Sequence, residues 1–89
     1  MPYVENKTVQ KIERNNYYFN LEVNGFNKFS ILWYVYRDGY SYESFHVSDG
    51  STDFTYEFNE PGSYAVLYRI YDSYMGEIEH SYFTAIDIK

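Results

Sequence analysis

His46 and His80 are the only imidazoles in this 89-residue chain, and it contains no cysteine. Thiolate nucleophiles, thiolate metal sites and disulfides are therefore excluded. Catalysis by a hydroxyl nucleophile needs a base beside it. His80 adjoins Ser81 in sequence and could meet Ser63 across a sheet. However, no Gly-x-Ser-x-Gly elbow is present to expose such a serine. Both histidines lie in strand-like runs, where an ordinary cross-strand or edge histidine accounts for them. Glu77 and Glu79 are two apart, a spacing that places both carboxylates on one side of a regular strand. Paired carboxylates could serve glycoside hydrolysis, but only across a cleft. A domain this small has little room for one, and edge charges that discourage strand addition are the simpler account. Asp38, Asp49, Asp53 and Asp72 lie near turns, where several oxygens could converge on Ca²⁺. The D-x-D-x-D-G loop is absent, and Asp38-Gly39 and Asp49-Gly50 are explained by turn chemistry. These residues lead to the expectation of a non-enzymatic chain with no metal and no cofactor.

The positioning framework must come from a small core. A single domain of this length buries only about two thirds of its unfolded surface, so each core side chain must contribute heavily. Thirteen Tyr, seven Phe and Trp33 do so, since each ring can bury roughly 150–250 Å². The net charge of −6 argues against a phosphate backbone as partner and against anionic membrane surfaces. No apolar run approaches the ~20 residues that span a bilayer, and no signal-peptide pattern opens the chain.

Period-2 alternation runs through nearly the whole sequence. Strands are expected over residues 17–23, 29–37, 40–47, 53–58, 63–71 and 78–88, with a first, weaker one over 3–12. β-Branched and aromatic residues fill these runs. Asn24-Gly25, Asp38-Gly39, Ser48-Asp49-Gly50 and Asn59-Glu60-Pro61-Gly62 punctuate them. Residues 9–15 could form a helical turn, and residues 1–7 read as loose. Seven short strands with a turn every 8–12 residues predict an all-β, immunoglobulin-like antiparallel sandwich. An oligonucleotide-binding barrel is the alternative, against whose usual ligand the acidic charge counts.

Alternation also assigns faces. Phe29, Ile31, Trp33 and Val35 share one face of their strand, and Tyr64, Val66, Tyr68 and Ile70 one face of theirs. These are assigned to the core. Leu32, Tyr34, Tyr36, Leu67, Arg69 and Tyr71 then point outward. Of these, Tyr34, Tyr36, Leu67, Arg69 and Tyr71 form the candidate ligand-binding patch. Flat tyrosines can anchor a protein partner or stack on a sugar ring. Tyrosine is also simply a good exposed strand residue, so the patch has a purely structural reading.

Two stretches carry a family resemblance. Trp33-Tyr34-Val35-Tyr36-Arg37-Asp38-Gly39 is a strand-borne aromatic leading into an acidic-Gly turn. Phe54-Thr55-Tyr56-Glu57-Phe58-Asn59-Glu60-Pro61-Gly62-Ser63-Tyr64-Ala65-Val66 matches a Y-x-F-x-x-P-G-x-Y-x-V run, continuing through Leu67-Tyr68-Arg69-Ile70-Tyr71-Asp72. Together they resemble bacterial immunoglobulin-like domains of the triple-tyrosine type and of the polycystic-kidney-disease-repeat type. The chain departs from the second pattern where Tyr34-Val35-Tyr36-Arg37 stands in place of an Asp-Phe-Gly-Asp-Gly run. The resemblance implies an accessory module beside enzymatic, adhesive or sensory domains, extracellular or associated with the cell envelope, with no catalytic residues to carry over. On this reading residues 1–89 are one domain, with its core over about 12–88, excised from a larger protein. Its partners would be neighbouring domains of that protein, another protein or a polysaccharide. By analogy with sandwich domains, the Tyr64 hydroxyl is expected to bond backbone upstream.

Overall fold

The computed structural model describes residues 2–89. It is all β. Seven strands run β1 (Tyr3–Glu13), β2 (Asn16–Asn24), β3 (Phe29–Arg37), β4 (Tyr40–Val47), β5 (Asp53–Glu57), β6 (Gly62–Asp72) and β7 (Gly76–Ile88). They form two antiparallel sheets, β1-β2-β5 and β4-β3-β6-β7. β1–β2, β3–β4 and β6–β7 are hairpins, and the other three connections cross between sheets. β3 therefore pairs not only with β4 but with the distant β6, which is the immunoglobulin-like order of a β-sandwich.

The tight connections follow from residue type. Arg37 pairs with Tyr40, leaving Asp38-Gly39 as a two-residue loop with φ of 50° and 86°. Positive φ at both positions twists the hairpin to match its strands, and Asp-Gly tolerates it. At the start of β6 the Tyr64 hydroxyl donates to the Glu60 carbonyl at 2.7 Å, the expected corner. Arg37 lies across the same corner. Its Nη1 donates to Glu60 Oε2 at 2.9 Å and its Nη2 to the Pro61 carbonyl at 2.6 Å. A Cβ on Gly62 would sit 2.9 Å from Arg37 Nε, so the missing side chain lets the guanidinium seal this end.

The core is the inner face of both sheets. Ile31, Trp33, Val35, Tyr64, Val66, Tyr68 and Ile70 are buried, as alternation assigned them, and Phe19, Leu21, Phe58, Phe83, Ile86 and Ile88 complete the layer. Phe29 is half-buried and packs at the margin. Trp33 sits at the centre. Its ring stacks on Phe54 at 5.2 Å between centroids and meets Phe83 at 5.6 Å, Tyr68 at 6.1 Å and Phe19 at 6.5 Å. Its indole N–H is buried without an acceptor among the described residues. Such an orphan costs about 1–3 kcal/mol, while burying about 150–250 Å² of ring contributes about 4–6 kcal/mol. Burial therefore wins.

Three expectations are corrected. Residues 9–13 continue β1 rather than forming a helical turn, because their pairing with β2 satisfies the backbone. Strand β1 begins at Tyr3, so residues 3–7 are not loose; Met1 lies outside the described residues. Glu77 and Glu79 do not share a face. A bulge opposite Ile70 and Tyr71 inserts Ile78, so Glu79 turns inward to accept the Tyr68 hydroxyl while Glu77 turns outward to Arg69. One extra residue flips the parity of everything beyond it.

Two outcomes test the core. Trp33→Ala is expected to cost about 3–5 kcal/mol by urea denaturation; Trp33→Phe, which also removes the orphan donor, should cost less. Burial raises the pKa of Tyr56, Tyr64 and Tyr68, reinforced by Glu43 at Tyr56 and by Glu79 at Tyr68. A raised native pKa favours the neutral form in the fold. This contribution is intact below about pH 10, the unfolded value, and is lost as pH rises through the native range. Urea midpoints should therefore fall above about pH 10, and less steeply in Tyr68→Phe.

Candidate functional site

The outer face of the four-stranded sheet gathers the candidate residues. Cross-strand register sets them in rows. Ser44, Tyr34, Leu67 and Tyr82 form one row across β4, β3, β6 and β7. His46, Leu32, Arg69 and His80 form the next. Ser41, Tyr36, Ala65 and Ala85 form a third. Tyr71 lies opposite Ser30 and, across the β7 bulge, Glu77. All five sequence-assigned residues, Tyr34, Tyr36, Leu67, Arg69 and Tyr71, thus fall on one contiguous surface, each half-buried by its neighbours.

Arg69 organises one side of it. Its guanidinium lies over the Tyr34 ring at 5.6 Å, donates from Nη1 to the Tyr71 hydroxyl at 3.3 Å, and pairs through Nε with Glu77 Oε1 at 3.2 Å. The Nε pair is charge proximity without hydrogen-bond alignment, since that N–H is buried and finds no acceptor. The Tyr71 hydroxyl, chiefly, raises the Arg69 pKa further, with Tyr34 and Glu77 adding to it. His80 flanks the other side of Tyr34, with ring centroids 6.3 Å apart. One face of Tyr34 and the hydroxyl of Tyr71 are therefore already engaged within the protein.

The opposite outer face is different in kind. On β1-β2-β5 the outward positions hold Asn6, Thr8, Gln10, Asn16, Tyr18, Asn20, Glu22, Asp53, Thr55 and Glu57. That surface is mainly polar and acidic; its rings are Tyr18, reaching Asp53 Oδ2 at 3.4 Å, and, at the margin opposite Asn24, the exposed Tyr3. The aromatic cluster around an arginine is found on the four-stranded sheet, whereas the rings of this face, Tyr3 and Tyr18, stand apart.

The other chemistry-bearing residues do not converge. His80 faces outward against Tyr34, whereas Ser81 turns to the opposite side of β7, 3.4 Å from Lys7 Nζ. Ser63 lies beside Asp87, several rungs away. The aspartates are spent on backbone and turns. Asp38 Oδ1 accepts from Ser63 N, Asp49 Oδ1 from Ser51 N, and Asp72 from both Asn27 N and Tyr74 N. Among the described residues, no three His, Asp or Glu side chains are placed to share a metal ion.

Sequence reasoning missed Tyr82 and the two histidine flanks. Tyr82 is on the patch because a second β7 bulge, opposite Val66 and Leu67, turns Phe83 inward and Tyr82 outward. The available signal was the three-residue spacing of Phe83 and Ile86, which a regular strand cannot place on the same side. No protein-family model matches this sequence, and no curated protein sequence matches it.

Arg69→Ala is expected to lower the urea midpoint by only a small fraction of the Trp33→Ala loss, because the pair is partly solvated. The ring resonances of Tyr34 and Tyr71 should nevertheless move, since both rings lose their organising cation. Two-dimensional NMR of the variant checks both.

Proposed function

We propose that this chain is a non-catalytic accessory module of an extracellular or envelope-associated bacterial protein, and that its four-stranded sheet docks against a neighbouring protein surface. The observation that carries this reading is the asymmetry of the two outer faces. One is mainly polar and acidic, with Tyr3 and Tyr18 apart from each other; the other joins Leu32, Tyr34, Tyr36, Leu67, Tyr71 and Tyr82 around a single arginine. Tyrosine and arginine are among the residues that most often anchor protein contacts, and here they sit half-buried in one contiguous surface whose most exposed ring is Tyr82. The resemblance to triple-tyrosine and polycystic-kidney-disease-repeat domains supports the accessory role and its location by analogy only.

The same geometry favours a protein partner over a sugar at this face. A sugar platform needs open, coplanar rings, and here Arg69 covers Tyr34 while tethering Tyr71. A docking face of the kind proposed uses such a pre-arranged cluster directly, because less side-chain entropy is lost on association.

A photo-crosslinking residue at position 67 should capture a protein neighbour when the full parent polypeptide is irradiated in its native host. The same residue at position 55, on the polar face, should not. Tyr34→Ser should abolish the capture from position 67 without unfolding the domain. Equal capture from both positions, or capture unaffected by Tyr34→Ser, would remove the sheet face from the reading.

A further inference from the structure

Three connections, residues 25–28, 48–52 and 73–75, meet at the end of the sandwich opposite the Arg37 corner. Between them lie two hollows of about 260 Å³ and 220 Å³ that share Lys28, Phe29 and Ser48 along their common wall. Both are open to solvent and each alone is smaller than the ~300–1,000 Å³ usual for a drug-sized ligand, so the pair suits a shallow groove along this end. The larger hollow has ring surface from Phe29 and Tyr71 and hydroxyls from Ser30, Ser48 and Ser73. Lys28 stands on the rim, with no ion pair among the described residues, and Asp49 borders the smaller hollow.

The groove is held open by a buried carboxylate. Asp72 is 3% exposed, the only buried charged side chain among the described residues. Its Oδ2 accepts from Asn27 N at 3.1 Å and its Oδ1 from Tyr74 N at 2.9 Å. Ser73 N donates to the Lys28 carbonyl at 2.8 Å. These bonds tie the β2–β3 connection to the β6–β7 connection, so the groove's walls are fixed before anything enters. The Tyr74 bond is also the Asx turn that starts the β6–β7 hairpin, and the backbone N–H groups hold the Asp72 carboxyl below the usual carboxylate range. Walls tied in this way lose less entropy on binding than mobile ones.

We infer that this groove binds a neutral saccharide. A sugar ring offers an apolar C–H face and a rim of hydroxyls that both donate and accept. For the first the groove offers Phe29, and for the second three serine hydroxyls, one ammonium donor and the Asp49 carboxylate oxygen that Ser51 N does not take. Charge decides against an anionic sugar: the chain carries −6 overall, and Asp49 borders the site. The groove shares Tyr71 with the sheet face proposed above, but Lys28, Phe29, Ser48 and Ser73 lie at the strand ends and in the connections, so each reading can fail without the other.

The test is two-dimensional NMR titration of the chain with cellotetraose, xylotetraose and mannotetraose, and with tetragalacturonate as the acidic comparison. The expected result is saturable shifts at Lys28, Phe29, Ser48 and Ser73 with at least one neutral tetrasaccharide, and none with tetragalacturonate. The pair Lys28→Met and Ser48→Val, each removing a polar group on the shared wall, should weaken binding about tenfold each, the loss of about one hydrogen bond. Thr55→Ala, on the far polar face, should leave it unchanged. Preference for tetragalacturonate overturns the neutral assignment. Shifts confined to Leu32, Leu67 and Tyr82 move sugar binding to the sheet face and overturn both this site and the protein-docking reading. No shift with any of the four overturns the groove alone.

Discussion

The stack of Trp33 on Phe54 is the contact on which the rest of this structure depends. Trp33 belongs to the four-stranded sheet and Phe54 to the short edge strand of the other, so the stack joins the two layers directly. Phe19 and Phe83 close around it from β2 and β7. A sandwich of this size cannot spread its stability over many small contacts. It concentrates it in a few large rings, and the tolerance of an unpaired indole N–H at the centre shows how strongly area outweighs polarity there.

Around that centre, both open sides of the sandwich are closed by polar groups that still bury ring surface. Between β4 and β5, Phe45 and Tyr56 pack together and the Tyr56 hydroxyl donates to Glu43. Between β1 and β7, Lys7 reaches inward. Its Nζ lies over the Tyr68 ring at 5.3 Å and donates to the Tyr82 carbonyl at 3.2 Å. That carbonyl lies at a bulge, where the ladder leaves backbone groups free. An inward lysine on the edge strand β1 satisfies it and blunts the edge at the same time. Bulges thus shape both the core, by admitting Phe83, and the outer surface, by releasing Tyr82.

The two ends of the molecule differ in the same spirit. One is sealed by Arg37 over Pro61 and Glu60. The other is left as a groove whose walls Asp72 fixes. Together with the aromatic cluster on the four-stranded sheet, the groove makes the molecule asymmetric from side to side and from end to end. Both are built on strands or on loops tied to strands.

The sequence by itself determined the class and most of the elements. Alternation and Asp-Gly or Pro-Gly punctuation gave β3 and β4 their bounds, placed Trp33, Val66 and their neighbours inside, and located the Tyr64 corner, because each is a local property of one strand or turn. The five patch residues were legible for the same reason: they lie on two regular strands. Only the tertiary structure decided what depends on pairing. The register brought Tyr34, Leu67 and Tyr82 into one row. The β7 bulges parted Glu77 from Glu79, which spacing had placed together. The groove gathers residues from three connections that are remote in sequence and share no period. Strand parity is written in the chain, but where it slips, and which loops then meet, is set by the partner strands and by buried groups such as Asp72 that tie them.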